Sequence, residues 1–219
     1  MSDQGVIIVE ALRSPIGTAG RGLAGVDAAG LAAPVLAAVA DRVGRRPAEV
    51  VLGNCMGPGG DVARVAALAA GLPDGTPALT VDRQCASGLA AIEVGVRLVA
   101  DDHWPVLAGG VESASTAPWR YWPPAHPDAA PLRYERAPFA PDKERDPDMG
   151  FAADLLAEEH GVGRRRQDEY TVRSHRLAWE AARGGVFADE LVPVAGLDRD
   201  ERVREGMTVA RLARLPAAF

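Results

Sequence analysis

The chain has 219 residues, 47 % of them hydrophobic and 5 % aromatic, with a formal net charge of −6. That length holds one large domain or two small ones, and the hydrophobic fraction suffices for a core built mainly from Ala, Val, Leu and Ile. The acidic balance argues against nucleic acid as the main partner, while leaving room for a small anionic ligand held by local arginines. In chain order, Val6–Val9 (VIIV) predicts a short buried strand, followed by a glycine-rich loop. Residues 27–43 predict a helix with Asp27 as N-cap and a discordant Pro34 inside it. Val50-Val51-Leu52 reads as a second strand. Residues 61–71 read as a second helix, capped by Asp61 and stopped by Gly71. ALTV (78–81) is a third strand, 86–100 a third helix, and PVLAGG (105–110) a fourth strand. This alternation points to an α/β layer with a mainly parallel sheet.

The texture changes after Pro118. Residues 118–147 hold eight prolines and five of the eleven aromatics, which reads as an irregular functional excursion rather than sheet. Residues 149–183 read as helical with a break near Gly161–Gly163, and the tail from 198 is polar, then amphipathic. The opening MSDQGVIIVEALRSP carries no basic region ahead of a long apolar stretch, so no signal peptide is expected. No run approaches the roughly 18–20 apolar residues of a membrane span. Two cysteines, Cys55 and Cys85, make no disulfide framework and no metal motif at that spacing, and the expected setting is a reducing cytoplasm.

Two glycine motifs carry little. Gly20-Arg21-Gly22-Leu23-Ala24-Gly25 matches G-x-G-x-x-G, but ten residues separate it from Val9 and the helix starts later still. A dinucleotide fingerprint needs that loop tight between strand and helix. Gly57-Pro58-Gly59-Gly60 lacks the Gly-Lys-Ser/Thr of a P-loop and reads as a turn. Cys85 is different. VDRQCASGLAAIEVGVRL places it at a strand-to-helix transition, where the helix dipole favours thiolate, among small residues that let a carbonyl approach the sulfur. The alternative is a buried cysteine packing as a small hydrophobe, the reading that suits Cys55.

The segment VDRQCASGLAAIEVGVRL resembles the acyl-accepting cysteine segment of the thiolases. So, in order, do IIVEALRSPIGTAGRGLAG, the run from VVLGNCMGPGG to PALTV, LAGGVESASTAPW, MGFAADLLAEEHGVGRRRQDEYTVRSHRLAWEA, FADELVPV and GMTVARLARLPAAF. The resemblance covers nearly the whole chain. It implies a thiolase N-terminal α/β domain over 1–116 and an inserted, mostly helical loop domain over 117–219. The reaction it implies is acyl transfer between acyl-CoA or 3-ketoacyl-CoA and CoA or acetyl-CoA, through an acyl-enzyme on Cys85. CoA is a substrate, with no tightly bound cofactor and no metal. The resemblance puts CoA contacts at Arg204, Met149 and Arg211. Arg164-Arg165-Arg166 is a weaker candidate, with a solvated basic face as the alternative.

The departures from the family pattern are Asp82 for Asn, Ala217 for Pro, Arg211 for Ser and Asp148 for His. The family's Asn-Glu-Ala-Phe, Gly-His-Pro and Cys-x-Gly-Gly segments do not occur in these residues. His103, His126, His160 and His175 read as turn, loop, helix-end and packing residues rather than as a base for Cys85. The expectation is a split thiolase whose second polypeptide supplies the C-terminal half, assembled into a higher oligomer. The alternative is a non-catalytic scaffold or acyl-binding subunit.

Overall fold

The computed structural model describes residues 5–102 and 104–219. By compactness the chain divides into Met1–Pro118 with Phe187–Arg202, and Trp119–Val186 with Val203–Phe219. The segment 187–202, assigned to the second domain on sequence grounds, therefore returns to the first unit.

In the first unit, α1 (Ala28–Val43), β1 (Glu49–Gly53), α2 (Val62–Ala69), β2 (Ala78–Val81), α3 (Ser87–Asp102) and β3 (Val106–Gly110) follow one another. Both expected caps form: Asp27 Oδ1 accepts the Gly30 N–H at 2.7 Å, and Asp61 Oδ1 accepts the Arg64 N–H at 3.2 Å. Helix α1 runs through Pro34. The sheet is parallel in the order β2-β1-β3, with Gly53 in register with both Val81 and Gly110. Being central, β1 is buried on both faces and reads as a continuous apolar run. Val50 and Leu52 pack with Ala32, Leu36, Ala63, Ala66, Ala67 and Leu107, so α1 and α2 cover one face. Val51 alternates to the other face, the side of α3 with its buried Ala90 and Ala91.

Three expectations fail here. Val6–Val9 forms no strand, and Ile7, Ile8 and Val9 are exposed. The run has strand propensity, but a strand exists only through its ladder, and among the described residues no neighbour provides one. The resemblance of FADELVPV to the thiolase family implies a closing strand there, but the chain forms only isolated bridges, Arg13 with Leu191 and Val194 with Leu197. The excursion 118–147 is not wholly irregular. It contains an antiparallel ribbon of β4 (Arg120–Trp122) and β5 (Leu132–Tyr134), in which Trp122 stacks on Tyr134 at 4.8 Å.

The second unit also holds α4 (Met149–Glu159), α5 (Arg164–Arg183) and the short α6 (Val209–Leu212). Gly161, at φ 61°, supplies the left-handed residue that ends α4. The returning segment 203–219 is fastened to these helices. Arg164 donates to the carbonyls of Leu212 (2.6 Å) and Leu215 (3.0 Å), and the Phe219 ring lies where a Cβ on Gly150 would sit. Among the described residues, no helix is long and apolar enough to cross a membrane.

Candidate active site

Cys85 sits in a turn between β2 and α3, at the C-terminal end of the parallel sheet. Asn54 N–H donates to Val81 O at 3.1 Å, carrying the ladder one residue past β1. The chain then reverses through Gln84, whose φ of 50° is left-handed. For a non-glycine residue that conformation costs about 1–2 kcal/mol, so the turn must be held by its own bonds. Gln84 N–H donates to Asp82 Oδ1 at 2.8 Å. Arg83 N–H donates to Ser87 Oγ at 2.8 Å, and the Ser87 hydroxyl donates to Gln84 O at 2.6 Å. Ser87 is only 5 % exposed. Cys85 itself is exposed, just ahead of the positive end of α3. The result is a rigid elbow that presents one thiol to solvent.

Glycines set where that elbow lies. A Cβ on Gly53 would run into the Ser87 carbonyl carbon and come within 2.6 Å of Gly88 N and Ser87 O. A Cβ on Gly110 would lie 3.0 Å from Gly88 Cα. The ends of β1 and β3 thus meet the first turn of α3 backbone to backbone, which only Gly permits. Farther along, Gly95 gives α3 the same close seat on β3, with Ala108 Cβ 3.1 Å from where its Cβ would be.

Beside the elbow, the buried Asn54 donates from Nδ2 to Val111 O at 2.9 Å and accepts the Gly57 N–H at 3.0 Å. The N–H groups of Cys55 and Met56 both donate to Glu112 Oε1. Burial, then the hydrogen bond to Glu112 and the negative charges of Glu112 and Asp82, push the Cys55 thiol up to about 11. Cys55 is therefore a protonated thiol at neutral pH.

The other candidates lie in the second unit. Arg204 is exposed, and its N–H donates to His175 Nδ1 at 3.3 Å. His175 thus accepts a hydrogen bond from the loop ahead of α6. Arg211 donates to Gly206 O at 3.2 Å, and its N–H is capped by Thr208 Oγ1. Met149 opens α4 and is exposed. These three belong to one unit, which is fastened through Arg164 and Phe219. Arg164 is committed to Asp168 and the carbonyls of Leu212 and Leu215, and Arg165 to Glu169. His160 caps the end of α4 through its N–H to Leu156 O, and His126 lies in the loop between β4 and β5. His103 lies outside the described residues.

Comparison with known proteins decides the lineage. The model of the thiolase N-terminal domain matches residues 6–219. The chain belongs to the thiolase family. Putative acetyl-CoA C-acetyltransferase VraB of Staphylococcus haemolyticus is 39 % identical over 95 % of this chain and 57 % of its own length. Putative acetyl-CoA C-acetyltransferase YhfS of Bacillus subtilis is 37 % identical over 89 % of this chain and 50 % of its own. The crystal structure of the Bacillus anthracis acetyl-CoA acetyltransferase superposes with a TM-score of 0.86 at 35 % identity, covering 98 % of this chain and 59 % of that one. The chain thus spans about half the length of the thiolases it matches.

Within this thiolase, two departures acquire a local reason. Asp82 is the acceptor that supports Gln84, a bond an Asn oxygen would also make. Asp148 caps α4 by accepting the Gly150 N–H at 2.9 Å. The early G-x-G-x-x-G loop is held against one carboxylate: Gly22 N–H donates to Glu201 Oε1, and Thr18 N–H, just ahead of the motif, to Glu201 Oε2. Amides already turned to an anion of the protein do not form a phosphate cradle. The residues missed on sequence grounds are Ser87, Gly53 and Gly110. Ser87 read only as a small neighbour. The two glycines end apolar strands, a placement that hints at close approach.

Proposed function

We propose that this thiolase chain carries the nucleophile of an acyl transfer on CoA thioesters. The Cys85 thiolate attacks the thioester or 3-ketoacyl carbonyl, and a tetrahedral intermediate collapses with release of CoA thiolate or of the acetyl-CoA carbanion. The acyl group then passes from Cys85 to CoA, or to an acetyl-CoA carbanion in the condensing direction. The observation that carries this reading is the exposed Cys85 thiol on a left-handed elbow at the start of α3. Arg204, Met149 and Arg211 contact CoA from the second unit, with Arg204 on the nucleotide side.

The acid/base and oxyanion groups come from a thiolase C-terminal half on a second chain. The surface of α3 supports this. Leu89, Ile92 and Val96 form an i, i+3, i+7 stripe that is 71 %, 37 % and 42 % exposed, whereas a solvated helix face is polar. The test is to prepare residues 1–219 alone and together with such a C-terminal half. Oligomeric mass and acetyl-CoA-dependent turnover are then compared. Turnover only in the pair is the expected result. Full turnover by a monodisperse lone chain refutes the partner, and a stable but inactive pair favours a scaffold.

A further inference from the structure

The chain's only two cysteines come from neighbouring strand ends. Cys55 lies two residues beyond Gly53, and Cys85 four residues beyond Val81, where Gly53 and Val81 are register partners on adjacent parallel strands. The two strands stay paired for one residue past the end of β1. Asn54 N–H still reaches Val81 O, and Gly53 lies against the backbone of Ser87 and Gly88. Cys55 is thus tied to the strand that supports the Cys85 elbow. Both residues carry thiols, with Cys85 the more exposed.

We propose that Cys55 and Cys85 form a reversible disulfide under peroxide, with Cys85 the oxidised thiol and Cys55 the resolving one. The chemistry runs in two balanced steps. Hydrogen peroxide, the oxidant, takes the electron pair of the Cys85 thiolate. The O–O bond breaks, Cys85 becomes a sulfenic acid, and the other oxygen leaves as water once protonated. Cys55 sulfur then attacks the Cys85 sulfur. The S–S bond forms, the S–O bond breaks, and the departing hydroxide takes up the Cys55 proton to leave as a second water. Glu112, hydrogen-bonded to the Cys55 thiol, is placed to accept that proton in transit.

The assignment of order follows from the two environments. The thiolate, not the thiol, is what peroxide oxidises. The Cys55 thiol, held up to about 11, presents about one part in ten thousand as thiolate at pH 7, so the first hit falls on the exposed residue. The disulfide then spares Cys85 from the irreversible sulfinic state. This inference does not depend on the acyl-transfer reading, because the oxidation needs neither CoA nor a C-terminal half.

The experiment treats the reduced 219-residue chain with an excess of hydrogen peroxide near pH 7, enough to supply the second equivalent that a sulfinic acid needs, blocks remaining thiols, and maps peptides by mass. The wild type is expected to give a Cys55–Cys85 linked peptide within one chain, fully recovered as thiols by dithiothreitol. It should form at least tenfold faster in the folded chain than in the urea-unfolded chain. The Cys55→Ser variant keeps a hydroxyl for Glu112 and is expected to accumulate sulfinic acid on Cys85 instead. Circular dichroism confirms that it is folded. Equal sulfinic acid on Cys85 in the wild type and in Cys55→Ser, with no linked peptide, overturns the proposal. So does a Cys85–Cys85 link between chains as the main product, a link that forms no faster in the folded chain, or a Cys85 that peroxide leaves unmodified.

Discussion

Replacing Gly53 by Ala tests whether the elbow is held by backbone packing. Gly53 has ordinary strand geometry, so the added methyl brings no backbone strain, only a steric demand. The new Cβ would run into the Ser87 carbonyl carbon, closer still than its 2.6 Å approach to Gly88 N and Ser87 O, and ordinary Cβ contact begins near 3.4 Å, so the start of α3 must back away by about 1 Å. All the opposing atoms are backbone, and no side-chain rotamer can relieve them. The cost is expected near the upper end of the overpacking range, about 3 kcal/mol. With a urea slope of about 2 kcal/mol/M, the midpoint falls by about 1.5 M. Because α3 carries the elbow, the alkylation rate of Cys85 also changes. Gly109→Ala is the control: its Cβ meets nothing closer than Leu52 Cδ2 at 4.0 Å, and it is expected to be neutral or to stabilise by up to about 1 kcal/mol. A Gly53→Ala chain within about 0.5 kcal/mol of the wild type, with unchanged Cys85 reactivity, refutes the close-packing explanation.

Other outcomes follow from the same structure. Sub-stoichiometric iodoacetamide near pH 7 labels Cys85 in preference to Cys55, and Cys55 labelling rises only as pH approaches 11; dominant Cys55 adduct in peptide maps contradicts this. Arg204→Ala weakens CoA binding by about 1–3 kcal/mol in calorimetric titration, while changes at Arg165 and Arg166 matter less and fade with salt; unchanged affinity removes Arg204 from the site. Burial opposes the Asp200 charge, but the Arg13 guanidinium, bonded at 2.8 and 3.1 Å, and the Ile16 N–H outweigh it and hold the carboxyl below its ordinary pKa. Its contribution is therefore present above about pH 4 and lost as pH falls through the lowered value. Asp200→Asn should cost about 1–2 kcal/mol at pH 7 and progressively less as acid protonates the carboxyl in denaturation curves; a cost that does not shrink as pH falls contradicts the assignment.

Much of the first unit was legible because its signals are local. Asp27 and Asp61 are caps read three residues ahead of the amides they bind, and a continuous apolar run such as Val50–Leu52 announces a buried central strand. The elbow was legible from Cys85 and its small neighbours. What holds the elbow was not. The Ser87 bonds depend on a left-handed Gln84 that propensity disfavours, and the roles of Gly53 and Gly110 exist only once α3 lies on the sheet. Val6–Val9 shows the opposite failure, since strong strand propensity yields no strand without a partner edge. The β4–β5 ribbon escaped because three-residue strands among prolines carry too short a pattern to detect period two. Tethers of long sequence separation, such as Arg13 to Asp200 and Glu190, leave no trace in either segment alone.

The most direct measurement is the covalent state of Cys85 after acetyl-CoA is added. The chain is combined with a thiolase C-terminal half, quenched in acid, digested and mapped by peptide mass, with Cys85→Ala beside it. The expected result is an acetyl thioester on Cys85, removed by added CoA with return of acetyl-CoA, and absent from Cys85→Ala. Turnover with no acyl adduct on Cys85, or an adduct on Cys55 that survives in Cys85→Ala, contradicts an acyl transfer carried by this elbow.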